Sequence, residues 1–461
     1  MLIVLREMKK ILISILLLVC GWYIEPLLAG NRSYRYRVTL TDKDSTVYSL
    51  LRPEEFLSKQ ALDRRIRQGL CVDTTDLPVC EKYLSKLKCA GVVVVGTSRW
   101  NNTVLVETKD TIRIKEIESL PFVKKVLKVW TKPDSIPARN RKRTNMLRPC
   151  FKKYQSYYGA AQNQVEMLNV DKLHHAGFRG KGIRIAVIDG GFLNADIIPL
   201  LQNVKIEGVK NFVHPGWDVY AELAHGMSVL SCMGADTPYV FVGTAPDASY
   251  WLFCSEDPDS ESLMEEDLWA QAVEYADSIG IDIINTSLGY HAFDDADKNY
   301  HYCDLNGYNS FMSATASMAA EKGMVVVCSA GNSGNKVWKK ITPPADAYNV
   351  LTVGAVDGNR INTVFSSVGY TADGRVKPDV MARGGAAAVI RPNGNVENAN
   401  GTSYSSPILC GAVACLWQAC PQLTAKEIIE KVRWVGHQFE CPDNIYGYGI
   451  PDMWKAYLYS K

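Results

Sequence analysis

The sequence predicts an α/β protein: a three-layer sandwich with a central, mostly parallel sheet, preceded by a small α+β unit. Two observations carry this reading. Beyond residue 157, short Val/Ile-rich runs (IRIAVI, YVFVGTA, SYWLFC, IDIINTS, MVVVCSA, VLTVGAV) alternate with helical stretches such as 265–279 and 314–322. Strands that are apolar throughout and separated by helices are buried on both faces, as in a parallel sheet. Between residues 33 and 130, by contrast, strands and helices interleave over a length that builds one small sheet backed by helices. At roughly 100–200 residues per domain, 461 residues allow about two to four domains, and a 47% hydrophobic composition fills their cores. The 51 Lys and Arg against 49 Asp and Glu leave a net charge of +2, which excludes a nucleic-acid binder driven by whole-chain charge.

Taken in chain order, residues 1–29 read as a secretory signal. Arg6, Lys9 and Lys10 precede the apolar run Ile11–Val19, and the small Ala29 follows. The run falls short of the ~20 residues that cross a bilayer, and no other run reaches that length, so no stable membrane span is expected. A lipid anchor on Cys20 is the alternative to cleavage near Ala29. On either reading the protein is exported: secreted, periplasmic or held at the cell surface. Of the 13 cysteines none form a C-x-x-C pair. Cys328, Cys410 and Cys415 sit in apolar runs as small hydrophobes, whereas Cys150, Cys303, Cys420 and Cys441 lie in polar stretches and are candidates to pair.

Residues 30–130 form the small unit. Tyr34, Tyr36, Val38 and Leu40 alternate with Arg35, Arg37 and Thr39, the period of a half-buried strand. A helix is predicted over Pro53–Gln68, opening on Pro and two glutamates and closing on arginines before Gly69. A second helix follows over Glu81–Cys89, then strands in VVVVG and NTVLVET, a short helix over Ile112–Ser119 and a strand over Phe122–Trp130. Residues 131–156, with Pro133, Pro137 and the run Ala138–Arg143, read as a linker. Its basic run is a solvated spacer or a protease-accessible processing site; without interleaved aromatics it does not read as nucleic-acid binding. Residues 157–461 are the main domain.

Chemistry in a parallel sheet collects at the carboxyl ends of its strands, and three side chains stand at such places. Asp189 ends the run Ile183–Ile188 and precedes two glycines. His225 and Gly226 precede the apolar helix-like stretch Met227–Met233, and Ser403 precedes the apolar helix Ile408–Ala419. Each has a bland reading alone: a turn Asp, an ordinary His-Gly, a helix-capping Ser. In the order Asp, His, Ser they match one of the chain orders in which a nucleophilic triad recurs, and that order excludes the α/β-hydrolases, where Ser comes first. Asn332, on the glycine-rich turn SAGNSG, carries a side-chain amide able to donate to an oxyanion.

DGG at Asp189, HGM at His225, GTAP at Gly243, SLG at Ser287, SAGNSG around Asn332 and GTSYSSP around Ser403 together resemble the signature blocks of the subtilisin-like serine proteases, the subtilases. The blocks run in the family's order over about 300 residues. Met227, Tyr404 and Ser405 depart from the commoner Thr, Met and Ala without removing a reactive group. The resemblance implies a subtilisin-like fold and peptide-bond hydrolysis: Ser403 as nucleophile, His225 as base, Asp189 as its orienting partner, Asn332 and the Ser403 N–H as oxyanion donors. It further implies that Ser287, Leu288 and Gly289, with Ala330 and Gly331, line the cleft for an extended polypeptide substrate. No acidic group in those two stretches demands a basic residue, so an apolar or mixed preference is expected. Residues 30–130 would then be a ferredoxin-like propeptide acting as an intramolecular inhibitor; a substrate-recruiting or carbohydrate-binding module is the rival reading. No cofactor is required for the chemistry. Structural calcium is common in such proteins, but Asp196 does not clearly match a ligand spacing and the acidic groups Glu256-Asp257 and Asp294-Asp295-Asp297 read as solvated loops, so no metal ligand is assigned. An inactive protein of the same fold, used for binding, is the alternative from another class; within enzymes, a peptide ligase or narrow processing peptidase is the other.

Overall fold

The computed structural model describes residues 32–44, 46–133 and 151–460; the signal stretch, Cys20, Cys150 and the basic run 138–143 lie outside them. The N-terminal unit is a four-stranded antiparallel sheet. Its strands are β1 (Tyr34–Leu40), β2 (Val93–Ser98), β3 (Thr103–Thr108) and β4 (Val123–Thr131), in the order β2-β3-β1-β4. Helices α1 (Lys59–Arg67), α2 (Glu81–Cys89) and α3 (Ile112–Glu118) accompany it. The helix predicted from Pro53 starts six residues later. Ser58 sits in extended backbone and its hydroxyl accepts from the Ala61 N–H at 3.2 Å, which caps α1 there and leaves Pro53–Glu55 as a separate turn.

The main domain is built on a seven-stranded sheet: β5 (Arg184–Asp189), β6 (Lys205–Asn211), β7 (Ser249–Cys254), β8 (Ile283–Thr286), β9 (Val325–Ser329), β10 (Leu351–Val356) and β11 (Val380–Arg383). The order is β11-β10-β9-β8-β5-β7-β6, with every pair parallel. The run YVFVGTA does not join it. Only Phe241–Val242 are extended, paired antiparallel with Asp236–Thr237, because the chain turns at Gly243 to pass under a helix: a Cβ there would stand 2.3 Å from the Met233 carbonyl oxygen. Two strands of this sheet escaped prediction, β6 because its residues KIEGVKN are mostly charged or polar, β11 because VMAR is short.

Alternation along the central strands divides the core. Ile185 and Val187, Val325 and Val327 face α4 (His225–Gly234), α7 (Thr402–Ala419) and α8 (Ala425–Trp434); Ala186 and Ile188, Val326 and Cys328 face α5 (Met264–Ile279) and α6 (Phe311–Glu321). The second cluster also holds Trp100, Leu105 and Val129, so the N-terminal unit shares a core with the main domain.

The seam between the two is charged as well as apolar. Arg37 forks onto Asp267 with both bonds at 2.7 Å and stacks over Phe311 at 3.7 Å. On α5, the fully buried Asp277 accepts from Arg64, from Arg65 at 3.1 Å and from Arg99 at 2.7 Å. Glu274 accepts from Ser98 and from the Arg99 and Trp100 N–H groups at 2.7 and 3.2 Å. Buried charges persist only when paired this way, and here each partner comes from the opposite side of the seam. The described cysteines, including Cys303, Cys420 and Cys441, are free thiols; Cys150 is outside the described residues.

Candidate active site

Asp189 is the last residue of β5 and is fully buried. Its carboxylate accepts from the Gly190 N–H at 2.8 Å and from His225 Nδ1 at 2.8 and 3.0 Å. His225 opens α4, and Gly226 behind it allows the approach: a Cβ there would lie 2.6 Å from the Gly191 carbonyl oxygen and 2.8 Å from Asp189 Cβ. The imidazole is one-third exposed, so its second nitrogen can meet a substrate. Burial alone would push its pKa down; the Asp189 carboxylate outweighs burial and, with Glu256 adding to it, holds it up at about 9.

Ser403 is the second residue of α7, which begins six residues earlier than the apolar run beginning at Ile408 suggested and carries Pro407 inside its first turns. Its N–H belongs to the first-turn group that has no intrahelical acceptor. The hydroxyl is bonded to the Ser287 carbonyl at 3.4 Å rather than to His225, while Ser287 Oγ donates to the Ser403 carbonyl at 2.9 Å. Catalytic hydrogen bonds are often long or unmade in sites without substrate, so the missing Ser403–His225 bond does not exclude a working pair. Beneath it, Ser406 Oγ donates to Asn285 at 2.9 Å, fastening the helix to the end of β8.

Asn332 follows β9 on its turn. Its Oδ1 accepts from the Thr402 N–H at 2.9 Å and from Thr402 Oγ1 at 3.0 Å. With the oxygen so engaged, the NH2 group is the part of the amide left to donate, which is the orientation an oxyanion donor needs. Thr402 also accepts from the Gly331 N–H at 3.1 Å. Its role was not read from the sequence, although its place beside Ser403 was a signal. Asn332→Ala is expected to lower turnover by about 100- to 1000-fold with KM little changed, the range for removing one side-chain oxyanion donor; steady-state kinetics on a peptide substrate checks it.

The presumed cleft walls also converge. Leu288 and Ala330 are buried and Gly289 is exposed at the ends of β8 and β9. Thr342 stands between them: a Cβ at Gly289 would be 2.3 Å from its Oγ1, and one at Gly331 would be 2.9 Å from the same atom. Glu256 differs from expectation. It is half-buried beyond the end of β7, and its Oε2 would lie 2.5 Å from a Cβ at Gly190, so it belongs to the Asp189–His225 neighbourhood and not to a solvated loop. Asp257 is buried too, its N–H bonded to Glu265 at 2.9 Å, whereas Asp294, Asp295 and Asp297 are exposed. Among the described residues no group of three or more His, Cys, Asp or Glu side chains is arranged to hold a metal ion, Asp196 included.

Comparison with known proteins adds to this geometry. The profile described as the Subtilase family matches residues 180–449, and that of the Peptidase S8 propeptide domain of Bacteroidota matches residues 35–145. Subtilisin DY of Bacillus licheniformis is 28% identical over 266 residues, 57% of this chain and 87% of the relative. Subtilisin NAT of Bacillus subtilis subsp. natto is 26% identical over 299 residues, 63% of this chain and 70% of the relative. Among solved structures, the MycP3 protease of the type VII (ESX-3) secretion system superposes with a TM-score of 0.51 at 22% identity, covering 68% of this chain and 92% of its own. MycP1 of the ESX-1 system gives 0.53 at 21%, covering 67% and 90%. The last two establish likeness of fold.

Proposed function

The chain belongs to the subtilase family of serine peptidases and carries that family's propeptide domain, and on that premise we propose that it is an exported endopeptidase that cuts polypeptides through an acyl-enzyme on Ser403. The observation that carries the reading is the Asp189–His225 pair, a fully buried carboxylate bonded to a one-third-exposed imidazole at the start of a helix. Ser403 attacks the scissile carbonyl as His225 takes its proton. Asp189 holds the tautomer and stabilises the imidazolium without itself being protonated. The negative charge on the tetrahedral oxygen is met by the Asn332 amide, turned outward by Thr402, and by the Ser403 N–H. The substrate lies extended along Ser287–Gly289, where main-chain pairing supplies affinity and pockets on alternate sides supply selectivity.

Residues 1–29 are the proposed signal, 30–130 the inhibitory propeptide, 131–156 the linker and 157–461 the catalytic domain; the product is secreted, periplasmic or cell-surface. Among the described residues no helix is long and apolar enough to cross a membrane. A serine-directed phosphonate probe tests the mechanism: labelling of Ser403 and of no other residue is expected, and labelling elsewhere overturns it. An unlabelled, inactive protein would instead support the binding-protein alternative.

Thr342 bears on substrate size. With its hydroxyl against both Gly289 and Gly331, the gap between the two walls accepts a small side chain at the scissile carbonyl. Thr342→Gly is expected to raise kcat/KM for Leu or Phe there by about 10- to 100-fold relative to Ala, the worth of a few methylenes in a pocket; a set of otherwise identical peptides reads it out.

A further inference from the structure

Glu256 lies beside the Asp189–His225 pair at the carboxyl edge of the sheet. Across the carboxyl edge of the sheet the order β9-β8-β5-β7 places Ala330–Gly331, then Ser287–Gly289, then Asp189, then Glu256. A peptide paired with 287–289 points successive side chains to opposite sides. If the residue at the scissile carbonyl enters the gap between 288 and 331, the residue before it faces the β5–β7 side, over His225 and toward Glu256.

That side gathers carboxylates: Glu256, Glu261 and Glu265 stand there with Asp189, and His225 is the cation that faces Glu256. Among the described residues no hydrogen bond engages Glu256, whose Oε2 lies 2.5 Å from a Cβ position on Gly190. The Tyr290 hydroxyl, buried with no hydrogen-bond partner, lies in the field of Glu265, Glu256, Glu261 and Asp189. Burial, reinforced by Asp189 and opposed by His225, pushes Glu256 up to about 7, and burial with Asp294 pushes Glu261 up to about 7. An acidic group in such a place is stabilised by a cation brought to it. We propose that Glu256 is a specificity-determining residue, receiving the ammonium or guanidinium of a Lys or Arg one position N-terminal to the residue whose carbonyl is attacked. This rests on the reading of Ser403 as nucleophile.

The pairing has a catalytic side. His225 is faced by Asp189 and Glu256, which favour its imidazolium, and by Arg391, which opposes it; Glu256 is faced by Asp189, His225 and Glu261. A substrate cation beside Glu256 offsets one of the two carboxylates holding the proton on the imidazole, and so returns His225 toward the neutral form that accepts the serine's proton.

The test uses the processed full-length product and internally quenched peptides with Thr at the scissile carbonyl and Lys, Arg, Ala, Leu or Glu before it, together with a copy of residues 140–147, NRKRTNML, in which Arg143 precedes Thr144. Lys and Arg are expected to exceed Ala and Leu in kcat/KM by about tenfold or more, with Glu lowest. Glu256→Gln is expected to bring all five to within about threefold and to move the acid limb of kcat/KM on the Ala peptide to lower pH. Glu256→Asp, which keeps the charge, is expected to keep the preference for Arg. Cleavage and Ser403 labelling without a basic preference, or a preference that survives Glu256→Gln, overturns this proposal alone. An unlabelled Ser403 and no cleavage overturns the hydrolase reading and this proposal with it.

Discussion

Ser403→Ala is expected to lose on the order of a millionfold in turnover, the magnitude for removing the nucleophile from a triad in a member of this family. In the proposed mechanism the hydroxyl is the group that bonds to the acyl carbon, and the neighbouring Ser405 and Ser406 cannot replace it: they are turned inward, bonded to the Thr402 carbonyl and to Asn285. His225→Ala should cost nearly as much, because the alcohol is unreactive without its base and the losses do not add. Asp189→Asn keeps the shape and is expected to cost about 10,000-fold by favouring the wrong imidazole tautomer. Residual hydrolysis above the water rate should survive in all three, since Asn332 and Thr402 are untouched. Single-turnover kinetics with the phosphonate label as a control reads these losses, and a serine variant retaining more than about a hundredth of the activity would remove Ser403 from the mechanism.

Asp277→Ala is the substitution expected to act most strongly on stability. The carboxylate answers three guanidiniums, all from the N-terminal unit. Burial opposes its ionisation, but Arg64, Arg65 and Arg99 together hold its pKa below the ordinary carboxylate range. Removing it strands buried positive charge at the seam, a change worth about 3–5 kcal/mol. The uncut precursor should therefore melt well below the parent. The catalytic domain freed of residues 30–130 no longer contains those arginines, and its stability should change by no more than about 0.5 kcal/mol. Calorimetry of both forms separates the seam from a general folding defect: equal losses in the two would show that Asp277 supports the catalytic domain itself.

Much of this architecture is legible in the chain because its strands are unambiguous. IRIAVI, IDIINTS and MVVVCSA are apolar on both faces, and they become the central β5, β8 and β9. Legibility falls where position in the sheet, not composition, decides. KIEGVKN is a strand because β7 offers it a partner, and YVFVGTA is not because Gly243 must pass under α4. The dyad was visible from Asp189 and His225 and their glycines. Thr402, Thr342 and Glu256 were not, since each acquires its role from residues distant in the chain: Asn332 for Thr402, Gly289 for Thr342 and Gly190 for Glu256. The carboxylates of α5 illustrate the same limit: Asp267, Glu274 and Asp277 gain their partners only when the N-terminal unit is packed against the helix.

The outer strand β6 sets a boundary on where foreign chains can attach. Lys205, Glu207 and Lys210 decorate it, and its register against β7 slips between Ile206 and Gly208. A smooth, greasy rim at that place would invite any unfolded polypeptide to zip on as an eighth strand, and a protease lives among unfolded polypeptides. The charged, kinked border discourages such adhesion and fibre growth.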